Sequence, residues 1–137
     1  MTMSYLRADD SLNDSLRAPA TPHIWFHTGS PGSAGTANIA QLVGANIVRK
    51  ALVFGDAPAN HNANNERIVK NTAAVTLTGA EITAAQEITH FSIWSAAAAG
   101  QFEYASALAQ AKTVGSDGLT VAIGDIEVAL GVFAKPA

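Results

Sequence analysis

The sequence predicts an all-β protein, an antiparallel β-sandwich or flattened barrel of about seven strands with one short N-terminal helix. Three observations support this class. Short segments alternate apolar and polar residues, turn residues recur after roughly eight to fifteen positions, and the strand–helix–strand spacing of a parallel sheet is missing. The chain of 137 residues suffices for one domain. We expect a helical arm over residues 1–21 and a single sandwich domain over residues 22–137.

The helix is predicted from the spacing of two leucines. Leu12 and Leu16 lie four residues apart, and Asp10 precedes them as a residue that can accept hydrogen bonds from the first free backbone N–H groups. Pro19 disfavours helical geometry in the residue before it, so the helix should span residues 10–17.

The strands are predicted from alternation and from the turns that separate them. The Ala96–Gly100 run favours a hairpin connection over a helix because it is short and ends in glycine. Gly124-Asp125 suits a two-residue hairpin turn that would pair Ile123 with Ile126. In the segment 46–55, successive apolar side chains would point to opposite faces of the predicted strand. We therefore expect other parts of the protein to cover each face in part. The predicted strand segments are 23–27, 46–55, 73–78, 87–96, 101–108, 119–123 and 126–130.

Composition restricts the function. Without cysteine, disulfides, thiol catalysis and thiolate metal sites are excluded. Eight basic against eleven acidic residues give a net charge of −3, a field too weak to attract nucleic acid or an anionic membrane. Charged residues make up only 14% of the chain, which suits either a surface held against neighbouring subunits or a neutral-surfaced monomer. The charged N-terminal segment predicts synthesis in a cytoplasm.

Catalytic and metal-binding patterns are weak. On a strand, His23 and His27 would be about 13 Å apart, too far to share an ion. His61 and His90 have no Gly-x-Ser-x-Gly element to complete a triad. The pairs Glu81 with Glu87 and Asp117 with Asp125 are poor acid–base candidates, since an aspartate beside a turn glycine usually serves the backbone. We therefore predict no catalytic residue, no metal and no cofactor.

Two other features have a structural and a functional interpretation. The loop 29–35 holds three glycines but lacks the Gly-Lys-Ser/Thr ending of a phosphate loop, so a β-turn loop is expected. Trp25 and Trp94, with Phe26 and Phe91, could stack on a sugar, but aromatic residues on strands usually pack in a core. We expect both tryptophans to be buried, whereas a carbohydrate-binding module would expose one of them.

Five blocks of the sequence resemble, in one order, a family of small tailed-bacteriophage virion proteins commonly labelled phage tail fibre protein. Some members of that family look like capsid decoration proteins. Residues 26–38 resemble its LHTGDPGAAGTANE opening, with Ser30 in place of aspartate, and Ser95 replaces another aspartate after the tryptophan. The further blocks are RKALVFG at 49–55, NTAAVTL at 71–77, ITHFSIWSA at 88–96 and shorter matches over 100–121.

The resemblance implies a structural component of a phage particle that catalyses no reaction. We expect a capsid decoration or cement protein that binds the major capsid protein and copies of itself as a homo-oligomer on the virion, with no nucleic acid or membrane partner. The alternative is a tail or tail-fibre component that binds a host surface carbohydrate or receptor. The contacts are expected from the N-terminal helix, the glycine loop and an Asn-rich loop: Leu12, Leu16, Arg17, Ser30, Pro31, Asn60, His61, Asn62 and Asn64.

Overall fold

The computed structural model describes residues 5–17, 20–42, 49–55 and 66–131. Within these ranges every strand pairing is antiparallel, which confirms the all-β prediction. Among the same residues, none of the helices has the length and apolar character needed to cross a membrane. The elements in chain order are α1 Tyr5–Leu16, β1 His23–His27, β2 Lys50–Ala51, β3 Glu66–Lys70, β4 Val75–Leu77, a 3₁₀ helix Gly79–Glu81, β5 Gln86–Trp94, β6 Phe102–Val114, β7 Leu119–Val121 and β8 Glu127–Gly131.

The strands form one four-stranded sheet and two strand pairs. The large sheet has the order β2-β1-β5-β6, and the pairs are β3-β8 and β4-β7. One apolar cluster joins these units. Its largest fully buried members include Phe26, Phe91, Leu12, Leu16, Ile24, Leu77, Ile88, Ile93 and Ile126.

The helix α1 starts earlier than predicted, at Tyr5, and ends at Leu16. Its two predicted apolar positions, Leu12 and Leu16, are 0% and 1% exposed and belong to the core. Ser15 lies within hydrogen-bonding distance of Tyr104 on β6, with 2.8 Å between the hydroxyl oxygens. Burial of two leucines is worth roughly 3–6 kcal/mol in transfer free energy, so α1 is an integral part of the packing.

The predicted turn over the alanine run is confirmed as the connection of the β5–β6 hairpin. The Ser95 N–H donates to the Gln101 carbonyl at 2.9 Å, and the Ser95 hydroxyl accepts the Gln101 N–H at 2.8 Å. Ala99 and Gly100 both have positive φ, at 52° and 75°. Glycine adopts this conformation without steric cost, which explains why the helix-favouring alanines end here in a turn.

The predicted hairpin at Gly124-Asp125 is wrong. Its two strands belong to different pairs, because β7 lies against β4 and β8 lies against β3. Ile123, which was predicted to pair with Ile126, is 65% exposed, while Ile126 is fully buried. The chain turns a corner at this point and passes from one strand pair to the other.

Asn71 explains the corner. Its side-chain oxygen accepts the N–H groups of Gly124 and Ile126, both at 2.9 Å, and its side-chain nitrogen donates to the Ala122 and Ala73 carbonyls. The asparagine is 1% exposed, and backbone groups buried beside it need hydrogen-bond partners. Its side chain supplies the bonds that the opposite strand of a hairpin would otherwise form. The Gly-Asp turn sequence is compatible with a hairpin and with a corner between two strand pairs, and the hydrogen bonds of Asn71 select the corner.

The structure describes residues 49–55 of the strand predicted over 46–55, and the strand in this part is shorter than expected. Only Lys50–Ala51 pair as a strand, and Phe54 forms an isolated bridge with Asn71. Leu52 and Phe54 are buried, but Val53 is 56% exposed, so the expected partial cover of both faces is wrong for this part. Positions 46–48 of the predicted strand and the predicted Asn-rich connection lie outside the described residues.

The strand β6 forms one edge of the large sheet. His90 pairs with Ala107 and Ile88 with Lys112, so residues 108–111 stand opposite a single residue of β5. This bulge interrupts the regular pairing of β6 with β5. A bulge of this kind bends an exposed edge and hinders its pairing with another chain.

Candidate functional site

The face of the large sheet opposite the apolar cluster carries aromatic and polar side chains. On β1, alternation places Trp25 and His27 on this face. The register sets Ser92 opposite Trp25 and His90 opposite His27, while Trp94 lies opposite the first residue of β1. The tryptophans are 4% and 8% exposed, which confirms that both are buried.

A chain of hydrogen bonds links this face to the loop after β1. His27 Nδ1 lies 2.7 Å from the Ala37 carbonyl, which can only accept, so this nitrogen carries the proton. Nε2 therefore accepts from the Ser92 hydroxyl at 2.7 Å, and the Ser92 oxygen in turn accepts the Trp94 indole N–H at 2.9 Å. Each donor in the chain has one acceptor when His27 is neutral.

The distance between the Ser92 hydroxyl and His27 is typical of a catalytic nucleophile and its general base, but the surroundings of this pair differ from those of a catalytic site. Both side chains are 0% exposed, so no substrate can reach the serine in this conformation. The Ala37 carbonyl takes the place that a carboxylate holds in a triad. The pair therefore fastens the loop to the sheet.

Arg49 packs against both tryptophans. Its guanidinium carbon lies 4.1 Å from the centre of the Trp94 ring and 4.8 Å from that of Trp25. The same group donates to the carbonyls of Ala96 and Ala99 at 3.1 and 2.6 Å, so it also holds the β5–β6 turn. Burial lowers the pKa of Arg49 from its usual range. A cation between two aromatic rings contributes about 0.5–2 kcal/mol.

Two N–H donors in this cluster have no acceptor. Trp25 Nε1 and Arg49 Nε are both buried and make no hydrogen bond. The tryptophan rings meet edge to face, with an angle of 71° between their planes, and the hydrogen bonds of Arg49 come from a terminal guanidinium nitrogen. The position of Arg49 against two strand tryptophans could not be predicted from the spacing of residues in the sequence.

The glycine loop, defined here as residues 28–38, folds back on β1. Thr28 N–H donates to the Asn38 carbonyl at 2.8 Å, and the Asn38 side chain donates to the Ser30 carbonyl at 2.9 Å. A Cβ built on Gly35 would lie 2.6 Å from the Phe102 ring, so the loop rests on that ring at a position only glycine can occupy. The expectation of a turn-built loop is confirmed. Cross-loop bonds give it a fixed shape.

The loop presents small polar groups to solvent. Its exposed residues are Thr28, Ser30, Gly32, Ser33, Ala34, Thr36, Ala37 and Asn38. Pro31 is buried, so of the two loop residues expected to contact a partner only Ser30 is available.

The other residues expected to contact a partner lie elsewhere. The side chains of Leu12 and Leu16 are in the core, so the partner contacts expected from them do not fit their position in this conformation. Arg17 is half-buried. Asn60, His61, Asn62 and Asn64 lie outside the described residues.

The structure also shows a groove that the sequence did not suggest. It measures about 470 Å³ and lies between β6 and β8. Glu66, Asp125 and Glu127 line it together with small side chains of β6. Asp125 pairs with Lys112 and Glu127 with Lys70, both at 3.7 Å, and Glu66 is also engaged. Lysines therefore balance two of the three carboxylates of the groove.

Two of the candidate acid–base residues form ion pairs with lysines, Asp125 with Lys112 as described above and Glu81 as follows. Glu81 pairs with Lys50 at 2.7 Å. His27 and His90 are neighbours across two strands, and burial, together with the positive charge that His90 can carry, lowers the pKa of His27. Within the described ranges, no group of three or more His, Asp or Glu side chains is placed to hold a metal ion.

Comparison with known proteins gives a family. No curated protein matches the chain. A family model described as Podophage GP4 fiber I protein gp80 matches residues 6–129, which span the helix, the glycine loop, the aromatic cluster and all but the end of β8. The resemblance to tail fibre-type phage virion proteins is thereby confirmed, and the chain belongs to the Podophage GP4 fiber I protein gp80 family of phage structural proteins.

Proposed function

We propose that this protein is a fibre-type component of a podophage tail and that it contacts the host surface through the exposed side of the glycine loop. The family match carries this proposal, because the family description names a fibre. It favours the tail over the capsid surface that the sequence analysis preferred.

The geometry of the glycine loop supports a role in contact. A binding loop with a fixed shape loses little conformational entropy when it engages a partner. Cross-loop bonds from Thr28 and Asn38 supply such a shape, and the hydroxyls of Ser30 and Ser33 lie on exposed residues. Hydroxyl and amide groups of this kind suit a hydroxyl-rich partner such as a surface carbohydrate.

The aromatic residues do not supply the contact. Sugar-binding modules commonly stack a ring on an exposed tryptophan, and here Trp25 and Trp94 are 4% and 8% exposed. The two indoles pack on Arg49 and Phe102 instead. A host contact in this conformation therefore depends on polar groups.

Location in the particle tests the proposal directly. A density map of the intact virion, with this protein labelled by a fused tag, should show the label on the tail. A label distributed over the capsid lattice would overturn the tail assignment and would support a decoration protein bound to the major capsid protein.

Host adsorption tests the role of the loop. Ser33→Glu adds a charge to the exposed side of the glycine loop and should slow adsorption several-fold. Thr83→Glu adds the same charge at an exposed position outside the loop and should leave adsorption unchanged. Equal effects from the two variants would contradict the assignment of the contact to the loop.

A further inference from the structure

We propose that His27 is an acid-sensitive clasp that holds the glycine loop on the large sheet at neutral pH and releases it as the pH falls. The proposal is independent of the tail assignment. It rests on the hydrogen bonds of a fully buried imidazole and on the groups that surround it.

The hydrogen-bond chain fits only the neutral ring. With the proton on Nδ1, His27 donates to Ala37, Ser92 donates to Nε2, and Trp94 donates to the Ser92 oxygen. A second proton on Nε2 turns that nitrogen into a donor facing the serine. Ser92 would then receive two donors, and its own hydrogen would lose its acceptor inside a buried site.

The neighbouring charges also oppose a protonated His27. From β5, His90 faces it directly across the sheet, and the electrostatic interaction between the two imidazoles disfavours a charge on His27. From the segment before β2, Arg49 lies on the Trp25 ring, and that ring contacts His27 with 5.7 Å between ring centres. The residues of the glycine loop, 28–38, carry no ionisable side chain. The interactions described for His27 include no carboxylate that would stabilise its charge.

The direction of the pH effect follows from these contacts. Burial lowers the pKa of His27 in the folded protein below the ordinary value of 6.5, so the unfolded or released state takes up a proton first. The full stabilisation is present above pH 6.5 and decreases as the pH falls from there toward the lower pKa of the folded state.

Release at the loop is favoured over unfolding of the whole domain. The hydrogen bond from His27 Nδ1 to the Ala37 carbonyl joins the loop to the sheet, so protonation of His27 acts at the loop. The buried side chains of the apolar cluster on the other face of β1 are hydrocarbons, which do not change charge with pH. The loop also touches Phe102, which lies 5.6 Å from Trp94 between ring centres. Both tryptophans of the protein therefore report on the state of the loop.

The test is a pH titration of the full chain from pH 8 to pH 5. Tryptophan emission should shift to longer wavelength, and thermolysin should cleave within residues 28–42 several-fold faster at the acid end, while far-UV circular dichroism stays unchanged. No emission change, or a simultaneous loss of the circular dichroism signal, would overturn the proposal.

Two variants assign the effect to His27. His27→Gln removes the titrating group and should abolish the emission change, whereas His23→Gln, on the same strand and partly exposed, should retain it. An emission change that persists in a folded His27→Gln variant would overturn the proposal. If His27→Gln does not fold, NMR titration of the imidazole signals in the unmodified protein decides, because the pKa of His27 must lie below the ordinary value of 6.5 and its protonation must coincide with the emission change.

Discussion

The two faces of the large sheet are both buried but are stabilised in different ways. One face places Ile24, Phe26 and Phe91 in the apolar cluster, where stabilisation is nondirectional and scales with buried area. The other holds Trp25 and Ser92 in a network of edge-to-face ring contacts and hydrogen bonds. A packed apolar face tolerates changes of shape better than changes of volume, whereas a buried polar face tolerates almost no loss of a partner.

Removal of volume from the apolar face should produce the largest effect. Phe26→Ala deletes a fully buried ring and should lower the free energy of unfolding by about 3–5 kcal/mol, as measured by urea denaturation. Val53→Ala, at a position 56% exposed, should cost less than about 0.5 kcal/mol. Similar losses in the two variants would show that the apolar cluster is not the main core.

Removal of one hydroxyl from the polar face should produce an intermediate effect. Ser92→Ala leaves the Trp94 indole N–H and His27 Nε2 without partners and should cost about 1–3 kcal/mol, although it deletes only one atom. Ser106→Ala, on the exposed part of β6, should be nearly neutral. A neutral Ser92→Ala would mean that water or a rearranged side chain replaces the serine and that the network is not closed.

Replacement of the stacked cation should have the smallest effect. Arg49→Met keeps an apolar stem over the tryptophans but loses the charge and the bonds to the β5–β6 turn, so it should cost about 0.5–2 kcal/mol. Arg49→Lys should recover only part of this loss, because an ammonium group cannot stack as a planar guanidinium does. Thermal unfolding measures both, and full recovery by lysine would show that charge alone matters.

Several elements could be predicted from local sequence. A short run of bulky residues identified β1, alternation identified β4 and β5, and the leucine spacing identified the buried side of α1. These predictions succeeded because the period of a strand or helix is a property of neighbouring residues. The glycine loop was also recognisable, since glycines that need positive φ occur in turns.

Other features depend on residues far apart in the chain. Asn71 reaches across 53 and 55 positions to Gly124 and Ile126, and no local signal distinguishes the resulting corner from a hairpin. Strict alternation along β5 would place Ile88 on the side of His90, yet Ile88 belongs to the apolar cluster, and the pairing with β6 shifts register between these two residues.

The sequence by itself determined the fold class, the positions of most strands and the family, because periodicity and the order of motifs can be recognised without knowing any tertiary contact. The tertiary structure alone decided which polar residues are buried, how Arg49 meets two tryptophans, and that His27 fastens the glycine loop. These relations depend on strand register and on side chains brought together from distant segments. A histidine on a strand has the same local pattern whether it lies in water or, as here, has no exposed surface.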